Sequence, residues 1–191
     1  MKHKKLESLA LYNTNPESKA YVVEVSLDDY SELFNGWDAS PLRRKDLEPE
    51  LMDYLEQAAT EIPIREKLEL CFYMPKEKRD LDKEFKSITS VMNNFKVVLS
   101  TIHKQLSHNY RRLAIYIIIS LIFLSAAYLL RNVTHISLFI NIMIEGFFIG
   151  GWFLLWEAFS LFFFDTHETR VRQKFFNRFL ISDIYFKDTK E

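Results

Sequence analysis

Two carboxylates stand where carboxylates are costly. Glu145 and Glu157 are the only charges in the apolar stretch Ile136 to Phe164. A carboxylate deep in a bilayer costs about 2.5–3.5 kcal/mol on insertion scales, so it must be neutralised, paired, or turned toward a protein or water cavity. A ligand for a proton or cation is one chemistry open to Glu145. A hydrogen bond to Ser120, Ser125 or a backbone carbonyl is the plainer one. Glu157 falls near the end of the stretch and has Arg111 and Arg112 as candidate ion-pair partners. Next to Glu145, Gly146 and Gly150 form a GxxxG pattern, with Gly151 following. Glycines at that spacing let another helix approach closely, either the other half of the same hairpin or a second copy of the chain.

Other chemistry is hard to build from these residues. The chain has 4 glycines. Gly36 alone cannot form a phosphate-cradling loop, so a Walker-type nucleotide site is not expected. His3, His103, His108, His135 and His167 lack zinc-ligand spacing, and Cys71 has no cysteine partner. No nucleophile elbow is present. The expectations are no catalytic residue, no cofactor, no metal, and a non-enzymatic role. Arg43, Arg44 and Lys45 read as a solvated loop rather than a nucleic-acid patch. A net charge of -1 gives no global field toward nucleic acid. A single cysteine fits a reducing compartment. The basic start Met1 to Lys5 is not followed by an apolar run, so no cleaved signal peptide is read.

The elements that must position these groups fall into two halves. Ala20 to Leu27 is rich in β-branched residues and reads as a strand. Pro49 suits a helix start, and Leu51, Tyr54, Leu55, Ala58 and Ile62 recur on one face up to Pro63. Leu68 to Tyr73 is a second strand. Strand, helix, strand implies a crossover and parallel pairing. From Glu77 a long helix carries Phe85, Ile88, Met92, Phe95, Leu99, Ile102 and Leu106 in alternating steps of three and four, a heptad seam. Its partner is either the returning half of the same chain, through Phe175 and Phe179, or a second chain. Leu113 to Leu130 has no charge and spans about 27 Å, enough to cross a hydrocarbon core. Arg131 to His135 is the turn before the second apolar stretch.

The expected fold is an α-helical membrane hairpin of two transmembrane helices with coiled extensions, plus a small N-terminal α/β domain. The segments are 1–76 for the α/β domain, 77–112 for the long helix into the membrane, 113–164 for the hairpin, and 165–191 for a C-terminal helix and tail. Lys104, Arg111 and Arg112 precede the first span; Arg170, Arg172, Lys174 and Arg178 follow the second; the turn has only Arg131. That asymmetry places both termini in the cytoplasm. If the turn centres between Val133 and Thr134, facing residues have numbers that sum to roughly 267, give or take a turn: Glu145 falls about 17 Å from the turn, level with Ser120 to Ser125, Arg111 is level with Glu157, Phe175 with Met92 and Phe179 with Ile88.

Two stretches carry a resemblance. Phe34-Asn-Gly-Trp-Asp-Ala-Ser-Pro-Leu-Arg-Arg-Lys-Asp-Leu-Glu-Pro-Glu50 is similar to a loop in a bacterial family of small two-span membrane proteins. Glu145-Gly-Phe-Phe-Ile-Gly-Gly-Trp-Phe-Leu-Leu-Trp-Glu-Ala158 resembles the second span of that family, although Glu157 and Ala158 stand where the family often has a basic residue and a proline. Proteins of this plan include transmembrane effectors of retron antiphage defence systems. The resemblance implies an inner-membrane toxin of abortive infection, held in check by a reverse transcriptase with its RNA–DNA product. When released it would associate into homo-oligomers and disrupt the lipid bilayer. Glu145, Gly146, Gly150 and Gly151 would then lie at the contact, and Arg111, Arg112 and Glu157 would form an interfacial pair on the cytoplasmic side. The alternative is a non-lytic anchor that presents its α/β domain to a partner.

Overall fold

The computed structural model describes residues 12–131 and 137–189. The basic start Met1 to Lys5 and residues 132–135 of the expected turn lie outside them. The chain is mostly helical with a small mixed sheet. It divides into two compact units, one within Met1–Thr101 and Arg172–Glu191, the other Ile102–Val171.

The first unit is built on a four-stranded sheet in the order β1 (Asn13–Thr14), β2 (Tyr21–Ser26), β3 (Leu68–Met74) and β4 (Ile184–Asp188). β1 runs antiparallel to β2, and β2, β3 and β4 are parallel. Helix α1 (Pro49–Glu61) makes the crossover from β2 to β3, as strand–helix–strand order predicts. Pro at its first turn costs no hydrogen bond there, and its buried side is Leu51, Leu55, Ala58 and Ala59. Tyr54, expected on that side, is partly exposed and donates from its hydroxyl to the Glu24 carbonyl at 3.1 Å.

Central strand β3 is buried on both faces. Its pleat points Leu68, Leu70, Phe72 and Met74 to one side, where Val23 of β2 and Phe186 of β4 are also buried. The Phe186 ring lies 5.1 Å from Phe72 and 5.6 Å from Tyr30. Burying each such ring contributes roughly 1.5–3 kcal/mol. The opposite side carries Glu69, Cys71 and Tyr73.

Helix α2 (Leu81–Arg131) has 51 residues, about 77 Å of helix. It starts four residues later than the sequence suggests, because Lys76–Lys78 form a separate 3-10 turn. Asp80 caps it: its carboxylate accepts from the Asp82 N–H at 2.9 Å, and its own N–H donates to the Tyr30 hydroxyl at 2.9 Å. Within the first unit the buried face of α2 is Glu84, Ser87, Ser90, Val91, Phe95 and Leu99. Phe85, the first position of the expected seam, is 64% exposed. The reason lies in what the helix meets. Ser90 Oγ and Asn94 Nδ2 donate to the Lys45 carbonyl at 3.0 and 2.8 Å, so two turns of α2 clip a polar loop rather than an apolar helix. Further on, Phe95 stacks 5.2 Å from Phe179 and lies 6.1 Å from Phe176. The sequence register set Phe179 against Ile88, seven residues earlier.

The segment 165–191 holds helix α4 (Thr166–Ile181), as expected, and then strand β4, which the sequence reading left as tail. The first unit is therefore closed by residues from both ends of the chain. The second unit contains the rest of α2 and helix α3 (Leu138–Ser160), which continues through a π-helical turn, Leu161–Asp165, into α4.

Candidate functional site

The two helices of the second unit are long and apolar enough to cross a membrane, and only 11% and 6% of their most apolar stretches are buried. A core helix of a water-soluble domain turns its apolar face inward; here Ile122, Leu129, Phe139 and Phe153 point out. Within the apolar stretches 113–130 and 138–160, what is buried is small: Ser120 and Ala127 of α2, and Gly151 and Ala158 of α3. Small residues bring helix backbones close where lipid supplies no hydrophobic drive for helix contact.

The contact closes on Gly151. A Cβ placed there would lie 2.8 Å from Leu124 Cγ and 3.3 Å from its backbone nitrogen. The Ser120 hydroxyl donates to the Gly151 carbonyl at 2.7 Å. One residue earlier, a Cβ on Gly150 would meet the Phe123 ring at 3.1 Å. Phe123 also packs edge-on against Phe147, with ring centres 5.5 Å apart. The sequence register placed Ser120 level with residue 147. Its partner is Gly151, four residues further on, which is within the one turn that this register allows.

The GxxxG pattern is thus divided between two surroundings. Gly150, with Gly151, fits against α2 of the same chain. Around Gly146 a Cβ would meet nothing within 4 Å. Glu145 beside it is exposed. It lines a groove of about 760 Å³ with Leu124, Ala127, Tyr128, Arg131, Asn141 and Trp152, among others. Glu145 thus shares a groove with Leu124, inside the expected span Ser120 to Ser125, and with the last turn of α2.

Arg111 is exposed and Glu157 partly buried. Arg112 is held by Tyr116, one turn along its own helix, with a 3.0 Å hydrogen bond and the cation 5.6 Å from the ring centre. Arg170 makes the same kind of pairing with Tyr110, through its hydroxyl and its ring. Sequence reasoning noticed the basic residues but not that tyrosines hold two of them. Arg at i and Tyr at i+4 in Arg112 and Tyr116 was the available signal.

A polar network that the sequence did not suggest lies on the other face of the sheet. Glu69 is 3% exposed and accepts from Asn15 Nδ2 at 2.9 Å, Tyr185 Oη at 3.0 Å and Ser18 Oγ. Burial alone would raise the Glu69 carboxyl, but these three donors and the nearby Lys187 hold it below the usual carboxylate range. Asn13 Nδ2 and the Tyr73 hydroxyl donate to Glu24 at 2.8 and 2.9 Å. This network ties β1, β2, β3 and β4 together. Among the described residues, no group of three or more His, Cys, Asp or Glu side chains is placed to hold a metal ion.

Comparison of the chain with protein-family models, with curated proteins and with solved structures gives no match.

Proposed function

We propose that this chain is a two-span protein of the bacterial inner membrane. In this reading it is an effector of a retron-like antiphage system, whose hairpins associate and breach the membrane when a restraint on the α/β unit is lifted. One observation carries the two-span part. β3 and β4 are hydrogen-bonded neighbours, with Leu70 opposite Ile184 and Met74 opposite Asp188. Residues 74 and 184 therefore share one side of any bilayer, and the chain between them crosses an even number of times. It contains two helices fit to cross. The basic residues flanking both spans favour the cytoplasm for that side. The effector part is supported by the resemblance in residues 34–50 and 145–158, and by the open face at Glu145 and Gly146.

The test is the membrane potential of cells expressing the unaltered chain without a restraining partner, read by a potential-sensitive dye. Collapse of the potential is expected. An intact potential at high expression, and also in phage-infected cells, sinks the effector reading.

The alternative is a non-lytic anchor. The sheet favours it to this extent: β4 makes the hairpin an insertion within a single folded unit, as suits a domain that is displayed rather than released. An intact potential together with a stably inserted chain is its signature.

A further inference from the structure

Glu145 sits in an apolar helix face without a hydrogen bond or ion pair to any described residue. In a bilayer such a group finds a donor, or its exposure costs several-fold in insertion. The groove that Glu145 lines offers donors: Arg131, Asn141 and Tyr128. In a single copy Arg131 and Glu145 line one groove without forming an ion pair among the described residues. At its edge, Gly146 leaves open the space a side chain would fill.

We infer that the groove is filled by a second copy of this chain, and that Glu145 of each copy pairs with Arg131 of the other. The groove is complementary to itself in charge. One surface carries both an acceptor, Glu145, and a long cationic donor, Arg131. A surface that bears both halves of a pair is self-complementary under a two-fold axis, because each contact then occurs twice. The Arg131 side chain is long enough to reach along the partner helix toward a carboxylate, and its fork matches a carboxylate in geometry. Gly146 lets the backbones come close enough for that reach. Gly150 and Gly151 take no part, since Phe123 and Leu124 of the same chain fill the space against them.

This deepens the proposed association and rests on the two-span reading, but its test is separate from membrane damage. Two populations of the full chain, each Cys71→Ser with Lys187→Cys for labelling, carry donor and acceptor dyes in phosphatidylethanolamine–phosphatidylglycerol vesicles. Energy transfer reports association. Glu145→Arg with itself, and Arg131→Glu with itself, oppose like charges twice, so association falls by about tenfold or more. Mixing the Glu145→Arg chain with the Arg131→Glu chain restores it, because every contact between the two copies is then of opposite sign. Gly146→Leu abolishes it.

The mixing arm decides the matter. If the pair forms inside one hairpin, each single variant carries its own like-charge clash and mixing rescues nothing, although the double variant recovers. That result overturns the inference. So do single variants that associate as well as the unaltered chain, and so does an unaltered chain that stays monomeric. Rescue on mixing also shows that both variants fold. An intact membrane potential in cells would sink the effector reading while leaving this result standing. Loss of potential with charge-insensitive association would do the reverse.

Discussion

The Ser120 hydroxyl reaches across the helix pair and donates to the Gly151 carbonyl at 2.7 Å. The bond exists because residue 151 has no side chain: a Cβ would sit 2.8 Å from Leu124 Cγ. The Leu124 side chain or the helix backbones must shift to admit even a methyl group. Gly151→Ala is expected to weaken the hairpin by about 1–3 kcal/mol, as overpacking does elsewhere. Ser120→Ala should cost about 0.6 kcal/mol, the average for hydrogen bonds between membrane helices. Gly146→Ala, with open space around it, should not weaken the hairpin. Unfolding in mixed detergent–denaturant micelles measures all three. Equal effects at Gly146 and Gly151 would show that the hairpin does not close through Gly151.

Glu69 gives the α/β unit an acid sensitivity with a definite sign. Its folded pKa lies below its unfolded value, about 4.3. A group lowered on folding contributes stability that is present above the unfolded pKa and is lost as pH falls through the folded one. The unit should therefore loosen below about pH 4. Tyr185→Phe removes one of the three donors, so the acid transition should move to higher pH. Glu69→Gln should lower stability at pH 7 and flatten its dependence on acid. Near-ultraviolet circular dichroism of the detergent-solubilised chain during acid titration follows this. A Tyr185→Phe transition at unchanged pH would show that this donor does not hold the carboxylate.

Much of the architecture is legible in particular residues. Tyr21 to Ser26 and Leu68 to Met74 announce strands by their β-branched and aromatic content. Pro49 and Pro63 bracket α1 within a residue or two. The parallel pairing follows from a helix between two strands. Other features depend on partners that a local pattern cannot see. Ile184, Tyr185 and Phe186 are three apolar residues before a charged end, too few to read as a strand; β3 gives them their role by offering an unpaired edge. Phe85 fits a heptad and yet faces out, because Ser90 and Asn94 two turns on bind the loop carbonyl of Lys45. Ser120 meets Gly151, where the missing side chain lets the two backbones come close. The two glycines of a GxxxG look alike in sequence. Only the position of Phe123 separates Gly150 from Gly146.

Arg79 links the two ends of the folded unit. Its Nε donates to Glu84 at 2.7 Å on the first turn of α2, and Nη1 donates to Asp188 at 2.7 Å at the end of β4. Nη2 reaches the Phe186 carbonyl at 3.3 Å. Glu84 is buried, so an Arg79→Met change leaves a carboxylate without its main partner. The expected loss is about 1.5–3 kcal/mol, with Arg79→Lys intermediate because an ammonium cannot serve three acceptors in one plane. Hydrogen exchange should show β4 amides losing protection before those of β2. Uniform loss across the sheet would mean that Arg79 supports the whole unit rather than this strand.

The pairing of β3 with β4 also fixes what labelling of the inserted chain should reveal. Met74 lies opposite Asp188 in the sheet, so in the proposed two-span protein sites near β1 and β4 share a membrane face. In a Cys71→Ser background, a cysteine at Lys187 or at Glu17 should be shielded from an impermeant thiol reagent in intact spheroplasts and should react once they are opened. A cysteine at Ser137, the N-cap of α3, should react in both states. This is the orientation proposed from the basic residues on the flanks of the two apolar stretches. Reaction at Lys187 and Glu17 with protection at Ser137 reverses the orientation but keeps the two spans. Different behaviour at Lys187 and Glu17 is a stronger result: it demands an odd number of crossings, which the β3–β4 hydrogen bonds forbid, and it would overturn the fold of the sheet itself.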